Sequence, residues 1–157
     1  MELFLTLRLV HILSAAVLFG TGLGIAFFMF MAVRGKDVAN IAVTARHVVV
    51  ADAIFTAVAV IVQPVTGLWL ALLVGYPLLS PWLVGTYILY AVAAAAWLPV
   101  VWIQMRLAAL TKQASEGGAP LPDEFHRLFR VWFWLGWPGF ISVLGIYGLM
   151  VFRSAFA

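Results

Sequence analysis

Four long apolar stretches, separated by three short breaks of polar or turn-forming residues, run the length of the 157-residue chain. The pattern predicts helices over about 2–33, 38–75, 81–113 and 123–153. Each exceeds the roughly 20 residues that cross a hydrocarbon core. The first break is Arg34-Gly35-Lys36-Asp37. The second runs from Gly75-Tyr76-Pro77 to Ser80-Pro81, is uncharged, and is followed by Trp82, which reads as an interfacial anchor. The third is the loop 114–122, rich in Gly and Pro. Helix two starts as a polar-faced extension and enters the membrane near Val48. Pro64, Pro99 and Pro138 fall inside helices two, three and four, where the missing amide donor predicts kinks. Asp123 and Glu124 complement the start of helix four. The expectation is an all-α, polytopic membrane protein: one domain over 1–157, a four-transmembrane-helix bundle with Pro-kinked helices. Helix one is read as a span and not as a cleaved signal, whose apolar region is only about 7–15 residues.

Composition strengthens this. Hydrophobic residues make up 66% and charged residues 10% of the chain, and mean hydropathy is +1.12. Soluble domains average about 45–50% apolar and about 25% charged, so the solvent for most of this surface is lipid. The chain has no cysteine, which excludes disulfides, thiolate metal sites and cysteine catalysis.

Charge then orients the spans. Arg34, Lys36, Arg46, Arg106, Lys112, Arg127 and Arg130 flank the first and third breaks, while only Arg8 and Arg153 lie at the opposite ends. By the positive-inside rule both termini are periplasmic, the loop 114–122 is cytoplasmic, and the setting is a bacterial inner membrane. The basic balance is a topology signal, and no nucleic-acid partner is expected.

Polar residues inside a span are costly in lipid and mark an interior. On helix one, Arg8, His11, Ala15, Leu18 and Gly22 share a face. Asp52, Thr56, Ala59, Gln63 and Gly67 form a stripe on helix two. Tyr90, Ala94, Trp97, Val101 and Gln104 align on helix three, and His126, Arg130, Phe133 and Trp137 on helix four. Gly20 and Gly24 have the spacing of a small-residue packing motif. Trp97, Trp134 and Trp137 lie deep enough to wall a pocket.

Depth sorts these groups. At 1.5 Å per residue, His11 lies roughly 12 Å and Gln63 roughly 18 Å from the end that carries the termini. His11, Gln63, Thr66 and Tyr87 or Tyr90 therefore reach one site. Toward the other end, Asp52 and Arg130 share a depth and are expected to form an ion pair, because an isolated buried charge is expensive. His11 has no second histidine at its level, whereas His47 and His126 pair in depth near the cytoplasmic interface. For His11 the plain reading is a buried histidine bonded to a backbone carbonyl or to Gln63. For the other two it is interfacial hydrogen bonding. No HxxxH or HExxH spacing supports a simple metal site.

The strings LVHILSAAVLFGTGLGIAFFM, QPVTGLWL, WLPVVWIQMRL and RLFRVWFWLGWPGF resemble the bacterial integral-membrane domain of unknown function 2269 over nearly the whole chain. The LVHIL…FGTG segment is also distantly similar to helix one of CopD-type copper-resistance proteins and HemJ-type protoporphyrinogen oxidases. The HemJ likeness implies haem b with His11 as axial ligand, and with Arg8, Ala15, Gly22, Gln63 and Tyr90 around it. The CopD likeness raises copper, but no Met/His cluster suits soft Cu(I) here. Two function classes follow. One is a b-type haem protein in electron transfer, or a small redox reaction with a quinone or other redox partner. The other is a cofactor-free transport or accessory subunit with a polar interior path, for which four spans imply a homo-oligomer. His47 and His126 stand as alternative haem ligands. No acid–base or nucleophile–base pair marks an enzyme.

Overall fold

A computed structural model describes residues 1–152; Arg153, used above for topology, and the last residue assigned to helix four lie outside the described residues. Among those described there are five α-helices and one π-helical turn, and no strand. Helix α1 is Glu2–Gly35, α2 is Val38–Ala51, a π turn covers Asp52–Thr56, α3 is Ala57–Val74, α4 is Pro81–Glu116 and α5 is Asp123–Val151. The segment Val38–Val74 is one span, so four helices are long and apolar enough to cross a membrane.

Local chemistry explains the ends. Lys36 takes a left-handed conformation, φ 60°, and returns its N–H to Val33 O. The Asp37 carboxylate then accepts the Ala39 N–H at 3.0 Å and caps α2. Two residues thus reverse the chain. Gly75 ends α3 at φ 77°, a region where a Cβ is disfavoured. Pro81 opens α4, where its absent N–H costs nothing. Helices α1, α4 and α5 overrun or nearly match the expected limits, and α4 continues to Glu116, shortening the third loop.

The π turn is the feature that the sequence pattern missed. Within it the Ala57 N–H bonds to Asp52 O, one residue further back than in an α-helix. Asp52 and Thr56 are both buried on this turn.

The packed core lies at the end with the two loops. Met29 of α1, Ile41 and Val48 of α2, Leu107 of α4, and Phe125 and Trp132 of α5 form one buried cluster. Arg106 grips Glu124 through two bonds of 2.7 and 2.9 Å on the exposed rim there, tying α4 to α5. Toward the termini the helices pair off. Helix α1 lies on α3, and α5 lies on α4, where Gly85 faces Leu149 and Gly145 faces Leu89. The two pairs meet at a few points, with Phe19 against Phe140 and Tyr147, and Trp82 and Leu83 of α4 against Ala71 of α3. Outward-facing residues such as Leu13, Phe28, Ile61, Leu98 and Ile141 are exposed, which suits a lipid environment.

Candidate functional site

Between the two helix pairs lies a cavity of about 1000 Å³. Phe4, Val74 and Val151 line it near the termini, and Asp52, Gln104 and Trp132 line its deep end. The helix-one face Arg8, His11, Ala15, Leu18 and Gly22 lines it throughout. The second-span stripe does so through Asp52, Thr56, Gln63 and Gly67, with Val60 in place of Ala59, which is buried among neighbours. Tyr90, Ala94, Trp97 and Gln104 also line it, with Val100 and not Val101 completing that face. Phe133 and Trp137 face it from α5, whereas His126 and Arg130 are exposed and do not.

His11 is held from α3. Its Nδ1 lies 2.8 Å from Thr66 Oγ1. The Thr66 hydroxyl is also 2.7 Å from Val62 O, a carbonyl that only accepts. With its proton on that carbonyl, its oxygen accepts from His11 Nδ1–H, the tautomer that keeps a lone pair on Nε2. Gly67 makes the approach possible: a Cβ there would lie 3.1 Å from His11 Cε1. The Gln63 side chain does not bond the imidazole, although its backbone lies against the ring. Gln63 Nε2 donates to the His11 backbone carbonyl at 2.7 Å and to Ser14 Oγ, clamping α1 to α3.

Tyr90 has a structural partner. Pro64 lacks the N–H that would bond the carbonyl four residues earlier, Val60 O. The Tyr90 hydroxyl donates to that carbonyl instead. Tyr147 likewise donates to Ala15 O at 2.6 Å, the polar link from α5 to α1.

The expected Asp52–Arg130 pair is not formed. Ion pairs among the described residues join Arg106 to Glu124 and Lys112 to Glu116. Asp52 Oδ1 accepts from Trp97 Nε1 at 3.3 Å. Trp132 Nε1 can only donate, which orients the Gln104 amide with its oxygen toward that indole, at 3.3 Å, and its nitrogen toward Asp52 Oδ2, also at 3.3 Å. Neutral N–H donors thus do what a cation was expected to do, while the long Arg130 side chain stays exposed in its own helix.

Other expectations shift as well. Trp132, not Trp134, walls the cavity; Trp134 is 69% exposed. Trp82 is buried against Tyr76 and is not an exposed interfacial anchor. A Cβ at Gly20 or Gly24 would meet nothing within 4 Å, so the spacing creates no close helix contact here. His47 and His126 are exposed and outside the cavity lining. The deep network of Trp97, Gln104 and Trp132 around Asp52 was not foreseen, although a buried acid with indoles at its depth was a usable signal.

Four apolar spans, a half-hollow bundle and an inward polar lining define a polytopic integral membrane protein. Such a protein sits in a lipid bilayer. The family model described as a predicted integral membrane protein, the domain of unknown function DUF2269, matches residues 5–154. The chain belongs to this family. No curated protein matches it and no solved structure does, and the helix-one likeness to CopD- and HemJ-type proteins finds no support in these comparisons.

Proposed function

We propose that the cavity holds a b-type haem with His11 as axial ligand, and that the protein serves membrane electron transfer or a small redox reaction with a quinone or similar partner. The observation that carries this reading is the Thr66–His11 bond, which engages Nδ1 and leaves Nε2 as the candidate ligand atom. Metal-binding histidines are held through their other ring nitrogen in this way. The donor set fits the group. The lining is apolar and aromatic, through Phe19, Trp97, Phe133 and Trp137, and a cavity of about 1000 Å³ suits a large planar ligand. Ala15 and Gly22 add little bulk, and Arg8 supplies a cation for a propionate.

When bound, haem supplies a one-electron couple. The chain's own part is to orient His11 through Thr66, anchor the α1 backbone through Gln63, and exclude water with apolar walls. Tyr90 supports the α3 backbone beside the site. His11 is the one histidine in the lining, so it alone of the three histidines would hold the group there. The charge asymmetry supports periplasmic termini in a bacterial inner membrane. The chain has no cysteine, so Leu79→Cys and Ala119→Cys report topology directly. Labelling of the first alone in intact cells is the expected result, and labelling of the second alone reverses the orientation.

The test is an absorption spectrum of the purified protein, oxidised and then dithionite-reduced. A Soret band with sharpened α and β bands, lost or shifted in His11→Ala, is expected. A band indifferent to that substitution moves the ligand to His47 or His126. No band after haem reconstitution ends the reading and leaves the cofactor-free transport or accessory role, with homo-oligomer formation as its next measurement.

A further inference from the structure

We propose that Asp52 and Thr56, on the π-helical turn, hold an alkali metal ion at the deep end of the cavity. Asp52 is 5% and Thr56 6% exposed, and both line the cavity. Each Asp52 oxygen faces one N–H donor, from Trp97 or Gln104. An N–H donor at each carboxyl oxygen suits the ionised form. Among the described residues no Lys, Arg or His lies within ion-pair distance of it. A buried carboxylate without a counter-charge is costly, and deep in a membrane span it marks a site.

The second observation is Thr56. Its Oγ1 is buried and makes no hydrogen bond of normal geometry, although it sits beside the Asp52 carboxylate. A hydroxyl oxygen and carboxylate lone pairs converging on one wall are hard ligands. Both residues sit on the π turn, a feature common at functional sites. The ion is monovalent because one carboxylate neutralises one charge. Calcium takes about 6–8 oxygen ligands, usually with several carboxylates. No group of three or more His, Cys, Asp or Glu side chains gathers here among the described residues, so softer metals have no donor set. This site is separate from His11: Thr66, which holds that ring, is ten residues past Thr56, or about 15 Å along a helix.

Ion binding to the folded state raises its stability by linkage. The experiment is thermal unfolding of the full-length protein in detergent, at constant ionic strength, in lithium, sodium, potassium or choline chloride. A saturable rise in Tm with at least one alkali ion over choline is expected. Asp52→Asn should abolish that rise and Thr56→Val should shift it to higher ion concentration, with Thr44→Val as the control that keeps it. If Asp52→Asn does not fold, Thr56→Val carries the test. Equal Tm in choline and in every alkali salt overturns the proposal, as does an ion response that survives both substitutions. A protein without a Soret band leaves this test unchanged, since the alkali-ion readout involves no haem.

Discussion

The loop half and the terminal half of the bundle are cut from the same four spans and from similar apolar residues, yet one is filled and the other hollow. In the loop half, Met29, Ile41, Leu107 and Phe125 interlock and are almost fully buried. In the terminal half, comparable bulk from Leu18, Phe19 and Trp137 stands around open space. Side-chain size does not explain the difference. The fourth contact does. Helix α2 closes the loop half by packing on both α1 and α4, but beyond the π turn α3 stays with α1. Helices in lipid gain little from hiding apolar surface and associate through packing and polar links. Helices α1 and α3 are joined by His11–Thr66 and Gln63, and α4 and α5 by glycine contacts, while the pairs meet at separate points, the Tyr90 and Tyr147 hydroxyls and the Ala71–Trp82–Leu83 cluster, with the cavity between them.

The comparison breaks most visibly at Phe125, which is fully buried. Phe125→Ala should cost about 3–5 kcal/mol in a denaturation titration. Leu18→Ala, on the cavity wall, should cost far less; equal losses would mean that the terminal half is filled in solution.

Glycine substitutions sharpen the same contrast. A Cβ at Gly145 would lie 2.8 Å from Leu89 Cδ1, while one at Gly22 would meet nothing within 4 Å. Gly145→Leu should destabilise by about 1–3 kcal/mol through overpacking, and Gly22→Leu should be tolerated. Comparable thermal shifts for the two would remove the distinction between packed pair and open cavity.

Tyr90→Phe tests how the hollow half keeps its backbone satisfied. It strips the Val60 carbonyl of its donor and should cost about 1–3 kcal/mol. In a Pro64→Ala background, where the amide is restored, the cost should fall. A double-mutant cycle with no coupling would refute the link between this tyrosine and this proline.

The smallest effect belongs to the rim. Arg106→Ala removes an exposed pair with Glu124 and should cost at most about 1 kcal/mol, less in high salt. A larger, salt-independent loss would show that the loop half depends on this clasp more than on its apolar core.

Much of the plan was legible in the chain. Spans and breaks follow from lipid, because a backbone without water must bond within its own helix and needs about 20 apolar residues to cross. The inward faces followed from helical spacing, which placed Arg8, His11, Gln63 and Tyr90 around one space, with Thr66 bonded to His11. The failures are equally physical. The Asp52–Arg130 pair failed because depth along a helix says nothing of rotation about it. The π turn at Asp52–Thr56 failed to appear because one residue of altered winding leaves the apolar pattern of the span intact. Partner choice also escaped: Gln63 bonds the His11 backbone, Thr66 takes the imidazole, and Tyr90 answers for Pro64. The sequence by itself determined that four helices span a membrane and which faces turn inward, since hydropathy and periodicity are local properties. Only the tertiary structure decided that half of the interior stays open and that Asp52 faces indole and amide donors, since these depend on which helix stands opposite which.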